Sequence, residues 1–501
     1  MGSCASRGLL PHPQVETKSG VVEGQRHPMP GRKGEHVNIW LGIPFATPPS
    51  DRSASPSLVR HDVIVVTVEY RRVAERLLGY LGFFVLDDTH AKGNYGLSDM
   101  ILGLRFVKEN IAAFGGDPNR FASQETKQGM RSRSSVNRPA ASPRASFASR
   151  RLVEVPMKRS FNRSTNRSDL FQQAILMGGF PESSWGVNDR SYAIAISRRK
   201  ALKLGFRRTS TQTEWSDEEN RQCVEYLRKL PAARFGMTML GEFALLRELR
   251  LRMAPVVDTD LLPGSIRELT AIVGVTSNEG LLFLLLAFSR RDGKFAAQLI
   301  ARAHEKIELW AKERGREMPL TIEAFRQLYG ISEMLLQSKK EMQRVIVRLM
   351  SEFINEAPMH AHVLKTLERE GTVYQYVFDH HNRFITALFN GRLPFVAATH
   401  GTERGGRARD LIFGVNIFMT PWRQRPSDRK VAALITKMFC NFAACGDPNG
   451  SGEQEFDFKW EPATFEHPDR HLLVREQPAM RESADNTRMN QLSEAFDTFV
   501  L

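Results

Sequence analysis

The segment at residues 93–120, GNYGLSDMILGLRFVKENIAAFGGDPNR, constrains the fold more than any other part of this chain. Its apolar residues recur at helical spacing, namely Leu97, Ile101, Leu104, Val107 and Ile111. This pattern predicts an amphipathic helix, with Ser98 and Asp99 as capping and first-turn residues. The helix is expected to end at residues 114–118, because two glycines and an Asp-Pro pair cannot continue it.

An apolar run at residues 63–70, VIVVTVEY, precedes this helix and is rich in β-branched side chains. Such a run is typical of a strand buried on both faces of a parallel sheet. A strand, a loop, a helix and a tight turn in this order make half of a βαβ unit. The sequence therefore predicts an α/β protein with a mostly parallel central sheet flanked by helices.

Other segments extend this prediction along the chain. Residues 20–24 and 36–41 are predicted to form one small N-terminal hairpin. Later segments are expected to be strands at 272–276 and 373–378, a long helical region at 332–369 and a closing amphipathic helix at 430–442. On that closing helix, Cys440 is most simply a core residue.

Length and composition fit one large domain. The chain has 501 residues, of which 42% are hydrophobic and 25% charged, so it can bury a large core. We interpret residues 1–19 as a flexible tail and residues 20–501 as a single domain, since α/β enzymes often run long as one unit.

The net charge of +14 is concentrated in one window. Residues 122–168 contain eleven Lys and Arg against two acidic residues, are rich in Ser and have no sustained apolar period. This composition is typical of disorder, and we predict a largely unstructured insert. Because the rest of the chain is only weakly basic, nucleic acid is not an expected partner of the whole protein.

The order of several motifs resembles one known family, the type-B carboxylesterases and cholinesterases of the α/β-hydrolase fold. The matching pieces are GIPFA and PP at 42–49, GNYGLSD at 93–99, FVKENIAAFGGDPNRF at 106–121, LFQQAI at 170–175, EG at 279–280, HG at 400–401, and NFA with GDPN at 441–449. They follow the family order from about residue 20 to the C-terminus. The resemblance implies a serine hydrolase that splits carboxylic esters without a cofactor or metal, acting on small-molecule esters.

The resemblance assigns two catalytic residues. Glu279 follows the predicted strand at 272–276, where open α/β sheets place their chemistry, and matches the acidic member of the triad. His400 matches the general base. A nucleophile, then Glu279, then His400 is the chain order of this fold. The run at residues 404–410 departs from the aromatic loop of the family.

Two parts of the family machinery are missing. No His-Gly-Gly segment, which supplies most of the oxyanion hole in the family, occurs in the sequence. Nor does a Gly-x-Ser-x-Gly elbow, the strained turn that presents the serine. Where the family has a buried strand entering this elbow, residues 121–130 read FASQETKQGM, which we interpret as not a buried strand. We therefore assign no nucleophile, and Ser98 is a helix cap rather than a substitute.

Three interpretations remain open. The sequence is an imperfect translation of an active esterase gene, with wrong exon edges around the Arg/Ser-rich window; this is the interpretation that we favour. Alternatively, it is a non-catalytic member used for protein binding, like adhesion relatives in the same family. Thirdly, the basic window is a genuine tail for anionic surfaces or RNA, although it offers only Phe147 and Phe161 for base stacking.

The N-terminus carries a lipidation pattern. Met1-Gly2-Ser3-Cys4-Ala5-Ser6 fits N-myristoylation at Gly2, with Cys4 as a second, reversible acylation site. No apolar segment follows Met1, and the four cysteines form neither a metal pattern nor a disulfide framework. We expect an intracellular protein, either cytoplasmic or peripherally attached to a membrane surface.

Overall fold

The computed structural model describes the following parts of the chain: residues 12–29, 34–40, 43, 61, 63–68, 80–87, 89–126, 144–151, 170–180, 182–183, 186–235, 252, 254–256, 270–286, 298–305, 308, 312, 321–332, 338–381, 393–402, 425–452, 456–483 and 489–490.

The N-terminal part forms two antiparallel hairpins rather than the one predicted. Strand β1 (Gln14–Thr17) pairs with β2 (Gly20–Glu23), and β3 (Gln25–Pro28) pairs with β4 (His36–Ile39). The prediction that residues 20–24 pair with 36–41 is therefore wrong, as is the assignment of residues 14–17 to a flexible tail. Four short strands lie close together in sequence here, and their composition does not specify which two pair.

The centre of the molecule is an eight-stranded sheet with the spatial order β12-β11-β10-β9-β8-β6-β7-β5. Its strands are β5 (Ile64–Thr67), β6 (Gly116–Thr126), β7 (Arg144–Arg151), β8 (Gln173–Met177), β9 (Thr270–Thr276), β10 (Val373–Phe378), β11 (His471–Val474) and β12 (Ala479–Arg481). All neighbours are parallel except β11 and β12, which confirms the predicted α/β class with a mostly parallel sheet.

Part of the predicted unstructured insert belongs to this sheet. Strand β6 continues to Thr126 and pairs with β8 on one side and β7 on the other. Strand β7 lies between β6 and β5 and completes the ladder on both of its own sides. The interpretation that residues 121–130 are not a buried strand is therefore wrong for 121–126, which lie between two neighbouring strands, and the prediction that 144–151 are unstructured is also wrong. Residues 127–143 and 152–168 lie outside the described residues.

The helices connect and cover these strands. They are α1 (Tyr80–Phe83), α2 (Tyr95–Asn110), α3 (Arg190–Lys203), α4 (Asp217–Arg228), α5 (Gly280–Leu286), α6 (Ile322–Leu328), α7 (Lys339–Ser351), α8 (Ala357–Leu367) and α9 (Pro426–Cys445). Short 3₁₀ turns occupy Ile111–Phe114 and Ala232–Phe235, and a π-helical turn at Glu352–Glu356 joins α7 to α8. No helix among the described residues is long and apolar enough to cross a membrane.

Helix α2 shows how the sequence builds this layer. Its buried side chains include Leu97, Met100, Leu104 and Val107, which recur at three- or four-residue intervals. Burying each of them stabilises the fold by roughly 1.5–3 kcal/mol relative to exposure. The residue before the helix is Asn94, in a left-handed conformation, so the predicted capping role of Ser98 is wrong.

The sheet separates two apolar cores. Along β8, Ala174 and Leu176 pack into the core that contains α2, whereas Ile175 and Met177 pack into the core that contains α9. This alternation follows from the two-residue period of a strand. In an open parallel sheet that is covered on both faces, a site is expected at the carboxyl ends of the strands. The carboxyl ends of β8, β9 and β10 share one edge.

Candidate active site

The loop that follows β9 holds Glu279 at this edge. The glutamate is completely buried, and its Oε1 accepts hydrogen bonds from the backbone N–H of Thr276 at 2.7 Å and from the hydroxyl of Thr276 at 3.1 Å. The next residue, Gly280, begins α5 and donates its N–H to the hydroxyl of Ser351 at 2.8 Å. The carboxylate is thus held by the end of its own strand, and the backbone that follows it is tied to helix α7.

The loop that carries His400 is tied to the Glu279 loop through Thr399. The hydroxyl of Thr399 donates to the carbonyl oxygen of Glu279 at 3.3 Å and accepts from the N–H of Leu282 at 2.9 Å. Within the histidine loop, Thr402 accepts from the N–H of Thr399 and donates to its carbonyl oxygen. These bonds hold the histidine beside the glutamate, although 121 residues separate them.

The structure brings the two predicted residues together. His400 Nδ1 contacts Glu279 Oε2, and His400 is buried at 8% exposure. An ionised carboxylate only accepts hydrogen bonds, so Nδ1 must carry the donated proton, and in the neutral imidazole Nε2 is then the acceptor. An imidazole held in this tautomer by a buried carboxylate has the geometry of a general base.

Gly178 forms the wall behind this pair. It follows β8, has φ +66°, and a Cβ at this position would lie 3.3 Å from the His400 ring and 3.4 Å from Glu279 Oε1. Its N–H donates to the carbonyl oxygen of Gly274 at 2.8 Å, which continues the sheet ladder by one step. Only glycine meets both the backbone and the space requirement without displacing the imidazole.

A further hydrogen bond to the Glu279 carboxylate comes from Asn355 and was not predicted. The Asn355 side chain is fully buried, and its Nδ2 donates to Glu279 Oε2 at 2.7 Å. Asn355 lies in the π-helical turn, whose extra residue per turn is seen in the bond from the Ala357 N–H to the Glu352 carbonyl oxygen. The sequence predicts only a long helical region here, because nothing in its apolar period marks a π turn.

Two further carboxyl groups lie in the same turn. Burial raises the pKa of Glu352, although Tyr329 and Arg348 oppose this shift. Burial, followed by the negative charges of Glu352 and Glu279, raises the pKa of Glu356 well above its ordinary value. Glu279 is therefore surrounded by hydrogen-bond donors to its oxygens and by two carboxyl groups, Glu352 and Glu356, whose raised pKa favours the protonated form.

The expected place of a nucleophile is at the end of β6. Thr126 of β6 pairs with Met177 of β8, so this end lies at the same sheet edge as Glu279 and His400. The next four residues in the sequence, 127–130, are KQGM and contain no serine. They lie outside the described residues, as do the predicted lipidation residues Gly2 and Cys4. Ser98 lies within α2, where its hydroxyl approaches the Asn94 carbonyl oxygen at 3.5 Å.

Other histidine–acid pairs in the described chain have structural explanations. His362 Nδ1 lies 2.9 Å from Glu182 in the interior, with side-chain exposures of 2% and 0%. His380 lies 2.8 Å from Asp428, which accepts the N–H of Arg425 at the start of α9.

Among the residues that the structure describes, one group of side chains has metal-ligand spacing. The ligand atoms of Asp87, His90 and Asp217 lie within 4.8 Å of one another. His90 Nε2 and Asp217 Oδ1 already pair at 3.0 Å, and Asp87 Oδ1 accepts backbone N–H groups from Thr89 and Ala91. We assign no metal to this group because its principal contacts are made within the protein.

A comparison with known families and proteins agrees with this architecture. The profile of the carboxylesterase family matches residues 50–122 and 160–492. The chain belongs to the carboxylesterase family. The interruption between 122 and 160 coincides with most of the basic window, so the family profile does not match that window.

Individual members of the carboxylesterase family are similar at low identity. Human neuroligin-2 is 27% identical over 86% of this chain and 47% of its own length. Esterase cest-33 of Caenorhabditis elegans is 26% identical over 84% of the chain and 67% of its own length. Human bile salt-activated lipase is 25% identical over 81% and 48%. The chain therefore spans about half the length of two of these three relatives.

Proposed function

We propose that this chain derives from a carboxylic-ester hydrolase and retains the acid–base half of its site, Glu279 and His400, but as written performs no acyl transfer. The observation that carries the proposal is the buried contact between His400 Nδ1 and Glu279 Oε2 at the carboxyl edge of the sheet. A base of this kind activates a serine, and the four residues that follow β6, 127–130, contain none, nor does the sequence contain a Gly-x-Ser-x-Gly elbow.

The missing parts determine how large the defect is. Serine hydrolysis needs the nucleophile and also N–H donors for the oxyanion, and each such donor is worth roughly 100- to 1000-fold in rate. The sequence contains neither a Gly-x-Ser-x-Gly elbow nor a His-Gly-Gly segment. There is therefore no acyl transfer for His400 to assist as a base. A small-molecule ester would be the substrate if the missing parts were present, as the names of the esterase and lipase relatives suggest.

The test uses the full chain with two probes. We expect hydrolysis of a short-chain aryl ester to equal that of the heat-denatured protein, and a serine-directed organophosphonate to leave the intact mass unchanged. His400→Ala and Glu279→Gln serve as matched controls and should behave like the unmodified chain. Labelling of the unmodified chain at one serine, abolished by His400→Ala, would show that a nucleophile exists and would restore the full enzyme assignment.

The origin of the defect is a separate question. The family match stops at residue 122 and resumes at 160, which supports wrong exon edges around this window. Transcript reads across the codons for residues 121–169 would decide, since an apolar strand followed by Gly-x-Ser-x-Gly would identify an active esterase gene. Reads that reproduce the present sequence would instead favour a genuine non-hydrolytic protein.

A second candidate function is protein binding. Neuroligin-2, whose name is not that of a hydrolase, is the relative with 27% identity over 86% of this chain. Its similarity favours a non-catalytic interaction module built on the same fold. In that case, His400→Ala should leave binding to a partner protein unchanged, because the acid–base pair is buried and would not take part in the contact.

A further inference from the structure

The Glu279 carboxylate has two oxygens with different surroundings. Oε1 is occupied by two donors from Thr276, both from the strand end that precedes the loop. Oε2 is shared between His400 Nδ1 and Asn355 Nδ2. The atom that orients the histidine therefore has a second donor, and this donor comes from a different element of the fold.

Asn355 reaches this atom because of the π-helical turn. The bond from the Ala357 N–H to the Glu352 carbonyl oxygen spans five residues, so one residue more than in a regular α-helix is inserted between α7 and α8. Such turns are frequent at functional sites. Here the turn points a neutral amide at Glu279, while the carboxyl groups of Glu352 and Glu356 belong to the same turn.

The interaction with Glu279 depends on the amide group of Asn355. A carboxylate at position 355 would repel Glu279, and an apolar side chain would remove one of the donors to Oε2. The amide donates a hydrogen bond and carries no charge, so it favours the ionised form of Glu279 and fixes the direction of the Oε2 lone pairs. Oε2 can then meet the imidazole in one orientation.

We propose that Asn355 is a positioning residue that holds Glu279 Oε2 in place for His400 Nδ1. This inference rests on the proposed acid–base role of the pair. It goes beyond that role because it assigns the fixed orientation of the pair to a residue of the π-helical turn, outside both loops that carry Glu279 and His400.

The experiment observes the Nδ1 proton of His400 directly in the full-length chain. In protein labelled with ¹⁵N-histidine, the resonance is assigned by its loss in His400→Ala, and its exchange with water is measured. Asn355→Leu keeps the branching of the side chain at Cγ but removes the donor. We expect exchange to become about 10- to 100-fold faster, the effect of losing one hydrogen bond to a charged group.

Two further variants separate positioning from packing. Asn355→Ala cannot clash, so it replaces the leucine variant should that protein not fold, and it should show the same acceleration. Asn110→Leu is the matched control: Asn110 is also buried and donates to the Phe106 carbonyl oxygen at 2.8 Å, but on α2. It should leave the His400 proton unchanged.

Clear results would overturn the inference. Unchanged exchange in Asn355→Leu would show that the amide does not position the pair, and acceleration in the alanine variant alone would indicate a packing role. Phosphonate labelling of the unmodified chain would contradict the proposed loss of acyl transfer, yet would leave this result intact. The failures of the two proposals are therefore distinguishable.

Discussion

At the scale of single residues, the site depends on positions where only one side chain fits. Gly178 is the clearest case, because its backbone has φ +66° and its Cα faces the His400 ring. A left-handed backbone alone destabilises a non-glycine residue by roughly 1–2 kcal/mol. At Gly178 a methyl group would also lie in tight contact with the imidazole, so backbone strain and steric crowding would both destabilise a substituted protein.

We predict that Gly178→Ala destabilises the protein and also displaces His400 from Glu279. Gly34→Ala is the matched control, since Gly34 has φ +78° but a Cβ there meets nothing within 4 Å. Urea unfolding should give a loss of about 1–2 kcal/mol for the control and a larger loss for Gly178→Ala. The His400 Nδ1 proton should be altered in Gly178→Ala only; an unaltered resonance would contradict the contact.

At the scale of elements, the π-helical turn gathers acids whose charged forms are disfavoured. Burial raises the pKa of both Glu352 and Glu356 in the folded protein. Between the unfolded and folded pKa values, the folded protein still holds protons that the unfolded chain has released. Stability must therefore fall as the pH rises through this interval, which begins near 4.5, the ordinary value for glutamate.

We predict that Glu356→Gln stabilises the protein at pH 8 and has a smaller effect at pH 4. Thermal unfolding at several pH values checks this, and the variant should show a flatter fall in stability between these limits. Glu476→Gln, at an exposed turn after β11, is the control and should follow the unmodified protein. A Glu356→Gln variant that loses stability at pH 8 would show that the carboxylate is needed there.

The elements also show what a sequence can and cannot predict. Helix α2 and strand β9 were predicted because their apolar residues repeat within one short segment. Strand β7 was not, because a polar, basic segment gives no apolar period and its position depends on β5 and β6 pairing on both sides. Glu279 and His400 were found through sequence motifs. Asn355 was not, because its contact with Glu279 depends on a π-helical turn that no local sequence pattern predicts.

At the scale of the whole molecule, the distribution of charge and the lipidation pattern at the N-terminus bear on where in the cell the protein is found. Eleven of the basic residues lie in the window at 122–168, so the excess charge is not spread over the surface of the domain. We propose membrane attachment through acylation at Gly2, strengthened by this window where anionic lipid is present. A single acyl chain binds only marginally, so Cys4 or the basic window must contribute.

We predict that Gly2→Ala moves the full chain from the membrane to the soluble fraction of cells. Cys4→Ser should weaken attachment without removing it, because myristoylation at Gly2 does not need the cysteine. Ser3→Ala is the control and should fractionate like the unmodified chain. If Gly2→Ala leaves the distribution unchanged, acylation at this site does not determine location.

The connection between Thr399 and the Glu279 loop has a consequence for how the chain reaches its native state. The histidine and the glutamate are 121 residues apart, and the strands that bring them together are parallel neighbours joined by long crossovers. Closing such loops is entropically unfavourable until the sheet is formed, which makes parallel topologies slow to fold. Helix α2, built from local contacts, can form early, whereas the acid–base pair can exist only after β9 and β10 have docked. A partly folded molecule would therefore carry helices but no oriented histidine.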